Sequence, residues 1–86
     1  MQKSGVEMHK KVLLENIDKI HTTEMGIGRI QKNLEISDEP VNYCISKLKQ
    51  ENAIITKEGK NYYVDVDDCI ITINSSSFTI ITAHKK

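Results

Sequence analysis

The chain has 86 residues, twelve Lys and Arg against twelve Asp and Glu, and therefore no net charge at neutral pH. That length leaves room for one domain with a thin core, and the balanced charge excludes a global field drawing the protein to nucleic acid or to a membrane surface. Any such attraction has to come from a local patch. The two cysteines, Cys44 and Cys69, stand far apart and outside any Cys-x-x-Cys or Cys-x-x-His spacing, so neither a disulfide framework nor a zinc site is indicated. They read as small apolar core residues. No apolar run approaches the ~20 residues a membrane helix needs, and the start lacks a signal-peptide hydrophobic region. The expectation is a cytoplasmic protein without membrane partner, metal or cofactor.

Residues 1–5 are polar, end in Gly5, and are expected to form a disordered tail before a single domain over 6–86. From Val6, apolar residues at Val6, Leu13, Ile17 and Ile20 predict an amphipathic helix with Lys10, Lys11, Glu15, Asp18 and Lys19 on its solvated face. A second helix follows His21, with Thr22 or Thr23 as its cap and Ile27, Ile30 and Leu34 on its buried side. Gly26 and Gly28 lie near its start, each costing about 1 kcal/mol relative to Ala. They imply close backbone packing or close approach of a ligand, unless the helix starts late, near Gly28. Ser37-Asp-Glu-Pro40 opens a third helix, expected over Pro40 to Glu51, with Val41, Cys44, Ile45 and Leu48 buried.

After Asn52 the period changes to alternation. Ala53 to Lys57 and Asn61 to Val66 are predicted strands around Glu58-Gly59-Lys60, where Gly59 suits positive φ. Asp67-Asp68 then turns the chain into a hairpin whose β-branched halves flank Asn74-Ser-Ser-Ser77. Asp65, Asp67 and Asp68 lack calcium-loop spacing and read as a solvated turn. The predicted fold class is α+β, three N-terminal helices packed on a four-stranded antiparallel meander sheet. Alternation puts Tyr62, Val64, Val66, Ile71, Ile73, Ile81 and Ala83 toward the helices. Tyr63, Ile70, Thr72, Asn74, Phe78, Ile80, Thr82 and His84 then form the outer face. That mixture of apolar and hydroxyl side chains suits a binding surface or a homodimer interface better than plain solvent.

His21 precedes a helix start, and histidine is the side chain suited to general-base work near neutral pH. With Thr72 and Thr82 it forms the candidate catalytic set. Arg29, Lys32, Lys57, Lys60 and Asn74 are the candidate nucleic-acid contacts, cations to hold a phosphate and polar groups to position it.

Three resemblances accompany these readings. His21-Thr-Thr-Glu, Gly59-Lys-Asn-Tyr-Tyr-Val64 and Ser77-Phe-Thr-Ile-Ile-Thr-Ala-His-Lys85 resemble a small bacterial family of unknown function. The element order, with His21, Arg29 and Thr82, is more distantly similar to the ribonuclease fold of barnase, RelE and colicin toxins. That likeness implies a metal-independent ribonuclease or a toxin-like RNA-binding domain. The stretch from Ile27 to Val64 also looks like a winged helix. In that alternative Asn42, Tyr43, Ser46 and Lys47 would face the major groove of DNA, with Lys57 and Lys60 on phosphates. A protein-interaction module using the outer sheet face is the remaining alternative.

Overall fold

The computed structural model describes residues 4–86, with side chains from Met8 onward. Its elements are α1 (Ser4–Glu15), α2 (Glu24–Leu34), α3 (Pro40–Leu48), β1 (Ile54–Glu58), β2 (Asn61–Val66), β3 (Cys69–Asn74) and β4 (Ile80–Lys85). The strands form one antiparallel sheet in the order β1-β2-β3-β4, with the helices against one face, as the sequence predicts. Of the tail expected over residues 1–5, residues 1–3 lie outside the described residues, and Ser4 and Gly5 are already helical.

Each helix has a local cause. α1 stops at Glu15 instead of running on to Ile20, because the Asn16 side chain donates back to the Val12 carbonyl at 2.8 Å and competes with the next turn. Ile17 to Lys19 form a single 3-10 turn, and Ile20 is extended and buried. α2 starts at Glu24, not late, since Thr23 caps it by accepting the Gly26 amide at 3.0 Å. It ends in a left-handed residue, Glu35, at φ 58°. α3 is capped by Glu39 and not by Ser37. The Glu39 carboxylate accepts from Val41 N at 3.2 Å and Asn42 N at 2.9 Å, with Pro40 in the first turn where no donor is needed. The helix ends at Leu48, three residues short of expectation. The Gln50 amide turns back to Lys47 O, and the Gln50 carbonyl takes bonds from the Ala53 amide and the Lys10 ammonium.

The core lies between helices and sheet: Leu13, Ile30, Leu34, Cys44 and Leu48 meet Ile55, Tyr62, Val64, Val66, Ile71, Ile73, Ile80 and Ala83. β1 and β2 join through Gly59 at φ 59°. Gly59 is the first central residue of a two-residue loop, the position where a type II′ turn needs glycine.

The alternation expected for the last strand is corrected at one step. Thr72 pairs with Thr82 but Ile73 pairs with Ile80, so β4 carries one extra residue there. Ile80 is buried where Ile81 was expected, and Ile81 is 43% exposed. Phe78, expected on the outer face, is also buried, with its backbone at φ 60°. That conformation is costly for a bulky residue and is held by Phe78 N donating to Asn74 O at 2.9 Å.

Candidate functional site

The outer face of the sheet is built in cross-strand rows. Ile54, Asp65, Ile70 and His84 form one; Thr56, Tyr63, Thr72 and Thr82 the next; Glu58, Asn61 and Asn74 the row nearest the two hairpin turns. These positions alternate with buried Ile55, Val64, Ile71 and Ala83, so they point away from the helices. Thr72 is nonetheless buried, walled in by Tyr63 and Thr82 on either side. Over Tyr63 the face is hollowed into a depression of about 280 Å³ lined by Ile54, Thr56, Glu58, Tyr63, Asp65 and Ile70. Asp65 already has a partner, the Lys86 ammonium, which that hydrogen bond and ion pair hold more basic than usual.

At the hairpin end of the sheet the polar residues connect. His21 lies at the free edge of β4 as a one-residue parallel bridge to Thr79. Its amide donates to Phe78 O at 3.2 Å, and its carbonyl accepts from Ile80 N at 2.7 Å. The ring is held at both nitrogens, Nδ1 by the Lys19 carbonyl at 2.7 Å and Nε2 by Thr79 Oγ1 at 3.1 Å. A carbonyl only accepts, so Nδ1 carries the proton, and in the neutral ring Nε2 accepts from the Thr79 hydroxyl. Thr79 Oγ1 lies 2.7 Å from Ser77 Oγ, and Asn74 Oδ1 accepts from the amides of Ser76 (2.9 Å) and Ser77 (3.0 Å). On the other side, the Ser75 amide donates to the Lys60 carbonyl at 2.8 Å and ties the two hairpin turns together.

Thus His21, Asn74 and Lys60 of the sequence-predicted set are gathered at one end, joined by Ser77 and Thr79, which the sequence reading missed. The signal for them was present. Thr79 precedes buried Ile80 and so shares the outer side of β4, and Asn74 followed by three serines is an Asx-turn sequence. Thr72 and Thr82 are direct cross-strand partners further along the face, with no hydrogen bond to His21. Lys57 is exposed one step before the β1–β2 turn, with its ammonium 6.0 Å from the Tyr62 ring centre. Arg29 and Lys32 are exposed on α2, the helix that runs beside β4, with no ion pair among the described residues.

The surface expected to enter a DNA groove is differently occupied. Lys47 Nζ is 2.7 Å from Asp67 Oδ2 and lies over the Tyr43 ring at 5.4 Å, while Ser46 Oγ donates to Tyr43 O at 2.6 Å. The hydrogen bond to Asp67 raises the Lys47 pKa, and the same bond lowers that of Asp67, helped by Asn52 donating to Oδ1 at 2.9 Å. Among the described residues no three His, Cys, Asp or Glu side chains come together as metal ligands would, and no helix is long and apolar enough to cross a membrane.

A family model described as "Protein of unknown function (DUF3781)" matches residues 14–84, from the end of α1 through β4. No curated protein and no solved structure matches the chain.

Proposed function

The chain belongs to the DUF3781 family, and we propose that this member is an RNA-binding domain that takes a single strand across the hairpin end and open face of its sheet. The observation carrying this reading is the hydrogen-bonded series His21, Thr79, Ser77 and Asn74, beside Lys60 and continuous with an uncovered sheet face. A ribose 2′-hydroxyl both donates and accepts, and that series offers hydroxyls and a ring nitrogen that do the same. Lys60 supplies the phosphate contact. Tyr63 and Thr82, on either side of buried Thr72, supply a face on which an unstacked base can lie and be oriented.

The size of the face favours such a ligand. Four strands and five or six residues of length give roughly 19 Å by 19 Å, or about 350 Å² of projected surface. A standard protein interface buries about 800 Å² on each partner, so the face alone is small for a folded partner or a second copy.

The exposed His21 ring at this end of the sheet supports a metal-independent cleavage step. The 2′-hydroxyl gives its proton to His21 Nε2, displacing the Thr79 hydroxyl. The 2′-oxygen bonds to the adjacent phosphorus and the P–O5′ bond breaks, the departing 5′-oxygen taking a proton from water, while Lys60, in the β1–β2 turn across the sheet from His21, holds a phosphate further along the strand. The test is cleavage of total RNA by the wild type and by His21→Ala at equal concentration. The reading expects activity that falls at least about a hundredfold in the variant, the usual size of a general-base contribution. Equal background in both removes the cleavage step and leaves binding alone.

A further inference from the structure

We propose that the depression over Tyr63 is a nucleobase subsite that selects bases carrying an amino group, through the Glu58 carboxylate; the inference rests on the RNA reading above. Three observations converge there. The hollow of about 280 Å³ lies near the lower bound of small-ligand pockets, the size range of one planar ring system. An aromatic side chain, Tyr63, sits in it with a threonine as cross-strand neighbour on each side, Thr56 and Thr72. Of its two carboxylates, Asp65 is neutralised by Lys86, whereas Glu58 has no ion pair or side-chain hydrogen bond among the described residues. One open acceptor and one aromatic side chain lining the same hollow call for a flat ligand with an N–H edge.

The position of Glu58 joins this subsite to the phosphate contact. Glu58, the last residue of β1, and Lys60, in the two-residue loop that follows, flank Gly59, so both lie within one β-turn, whose span is under about 7 Å. A nucleotide with its phosphate at Lys60 therefore has its base within reach of Glu58. A carboxylate accepts from the N4 amino group of cytosine, the N6 amino group of adenine, or the N1 and N2 donors of guanine. Uracil offers a single N3–H between two carbonyl oxygens that repel it. The Glu58→Gln amide supplies a donor in place of a charge and suits uracil as well as it suits the others.

The experiment measures fluorescence anisotropy of labelled eight-nucleotide strands of cytidine, adenosine and uridine at low salt. The proteins are the wild type, Glu58→Gln and Tyr63→Leu, with the thermal unfolding of each variant checked first. The wild type is expected to bind the cytidine and adenosine strands at least about tenfold tighter than uridine, the range of a charge-assisted hydrogen bond. Glu58→Gln narrows that preference below about threefold. Tyr63→Leu weakens all three by roughly 5- to 100-fold through lost stacking. Equal binding of all strands by the wild type, or a preference that survives Glu58→Gln, overturns the subsite while leaving RNA binding in place. No binding of any strand overturns both.

Discussion

The Thr22 hydroxyl occupies the space into which a side chain at Gly26 would project, while it donates to the Ile80 carbonyl at 2.9 Å. This contact fastens the start of α2 to the start of β4 and holds His21, one residue earlier, against Thr79. Gly26 is therefore fixed by packing. Gly28, two residues on, has open space around it.

The two glycines should respond oppositely to alanine. Gly26→Ala forces Thr22 out of place and should cost roughly 1–3 kcal/mol, as overpacking does. Gly28→Ala has only the entropy of a helical glycine to remove and should gain about 0.4–1 kcal/mol. Thermal unfolding reads both, at roughly 4–8 °C per kcal/mol for a domain of this size. Combining Gly26→Ala with Thr22→Ala should cost less than the sum of the two single changes, since the collision is gone. Additive losses would mean that Gly26 is required for another reason.

The pair Lys47–Asp67 predicts a pH window. The folded-state pKa of Asp67 is depressed, so its contribution is present above the ordinary carboxylate range and is lost as pH falls through the lowered value. Lys47 is raised, so its contribution is present below the ordinary ammonium range and lost as pH climbs through the raised value. Carbon-detected titration of the Asp67 carboxyl should give a midpoint below ordinary aspartate. In Lys47→Met that midpoint should move back up, and an unmoved midpoint would contradict the pairing.

Both cysteines should be silent toward thiol reagents. Burial pushes Cys44 up to about 12 and raises Cys69 as well, and the Cys69 thiol donates to Val66 O at 3.3 Å. At pH 8 about one Cys44 in ten thousand would be thiolate, the reactive form. An aromatic disulfide reagent should label the native protein only as fast as it unfolds, and label two thiols at once in denaturant. Rapid labelling without denaturant would show that one of them is reachable.

RNA binding should depend weakly on salt. Lys57 shares the helix-facing side of β1 with its partner Tyr62, so Lys60 is the turn lysine left to the site, and one phosphate contact on a single strand gives a log–log slope of about −0.7. Lys60→Ala should make that slope shallower by about 0.7, to nearly flat. A slope steeper than about −4 would require cations elsewhere, with Arg29 and Lys32 on α2 the next to substitute.

The elements were legible where a single residue type meets a local need, as Thr23 does at a cap, Pro40 in a first turn and Gly59 at positive φ. The face assignment was legible for β2 and β3, where Asp65 between Val64 and Val66 and Thr72 between Ile71 and Ile73 set the alternation. It failed at the start of β4, while Thr82, Ala83 and His84 face as expected, because Ile80 and Ile81 are identical side chains in succession, so the pattern contains nothing to say which one the extra residue displaces outward. Phe78 was misplaced for a related reason, as its left-handed backbone breaks the period that alternation assumes. The candidate site was legible in parts. His21 and Lys60 were singled out by their chemistry, but the neighbours of His21 depend on a contact 58 residues apart in sequence with Thr79, which no local pattern reveals.

The most direct test of the central claim is an amide chemical-shift map of the labelled protein titrated with a short single-stranded RNA and, in parallel, with duplex DNA. Shifts confined to His21, Lys60, Asn74 to Thr79 and the Tyr63 and Thr72 row, appearing with RNA alone, are the predicted result. Shifts along Asn42 to Lys47 with duplex DNA, or none with either ligand, would contradict it.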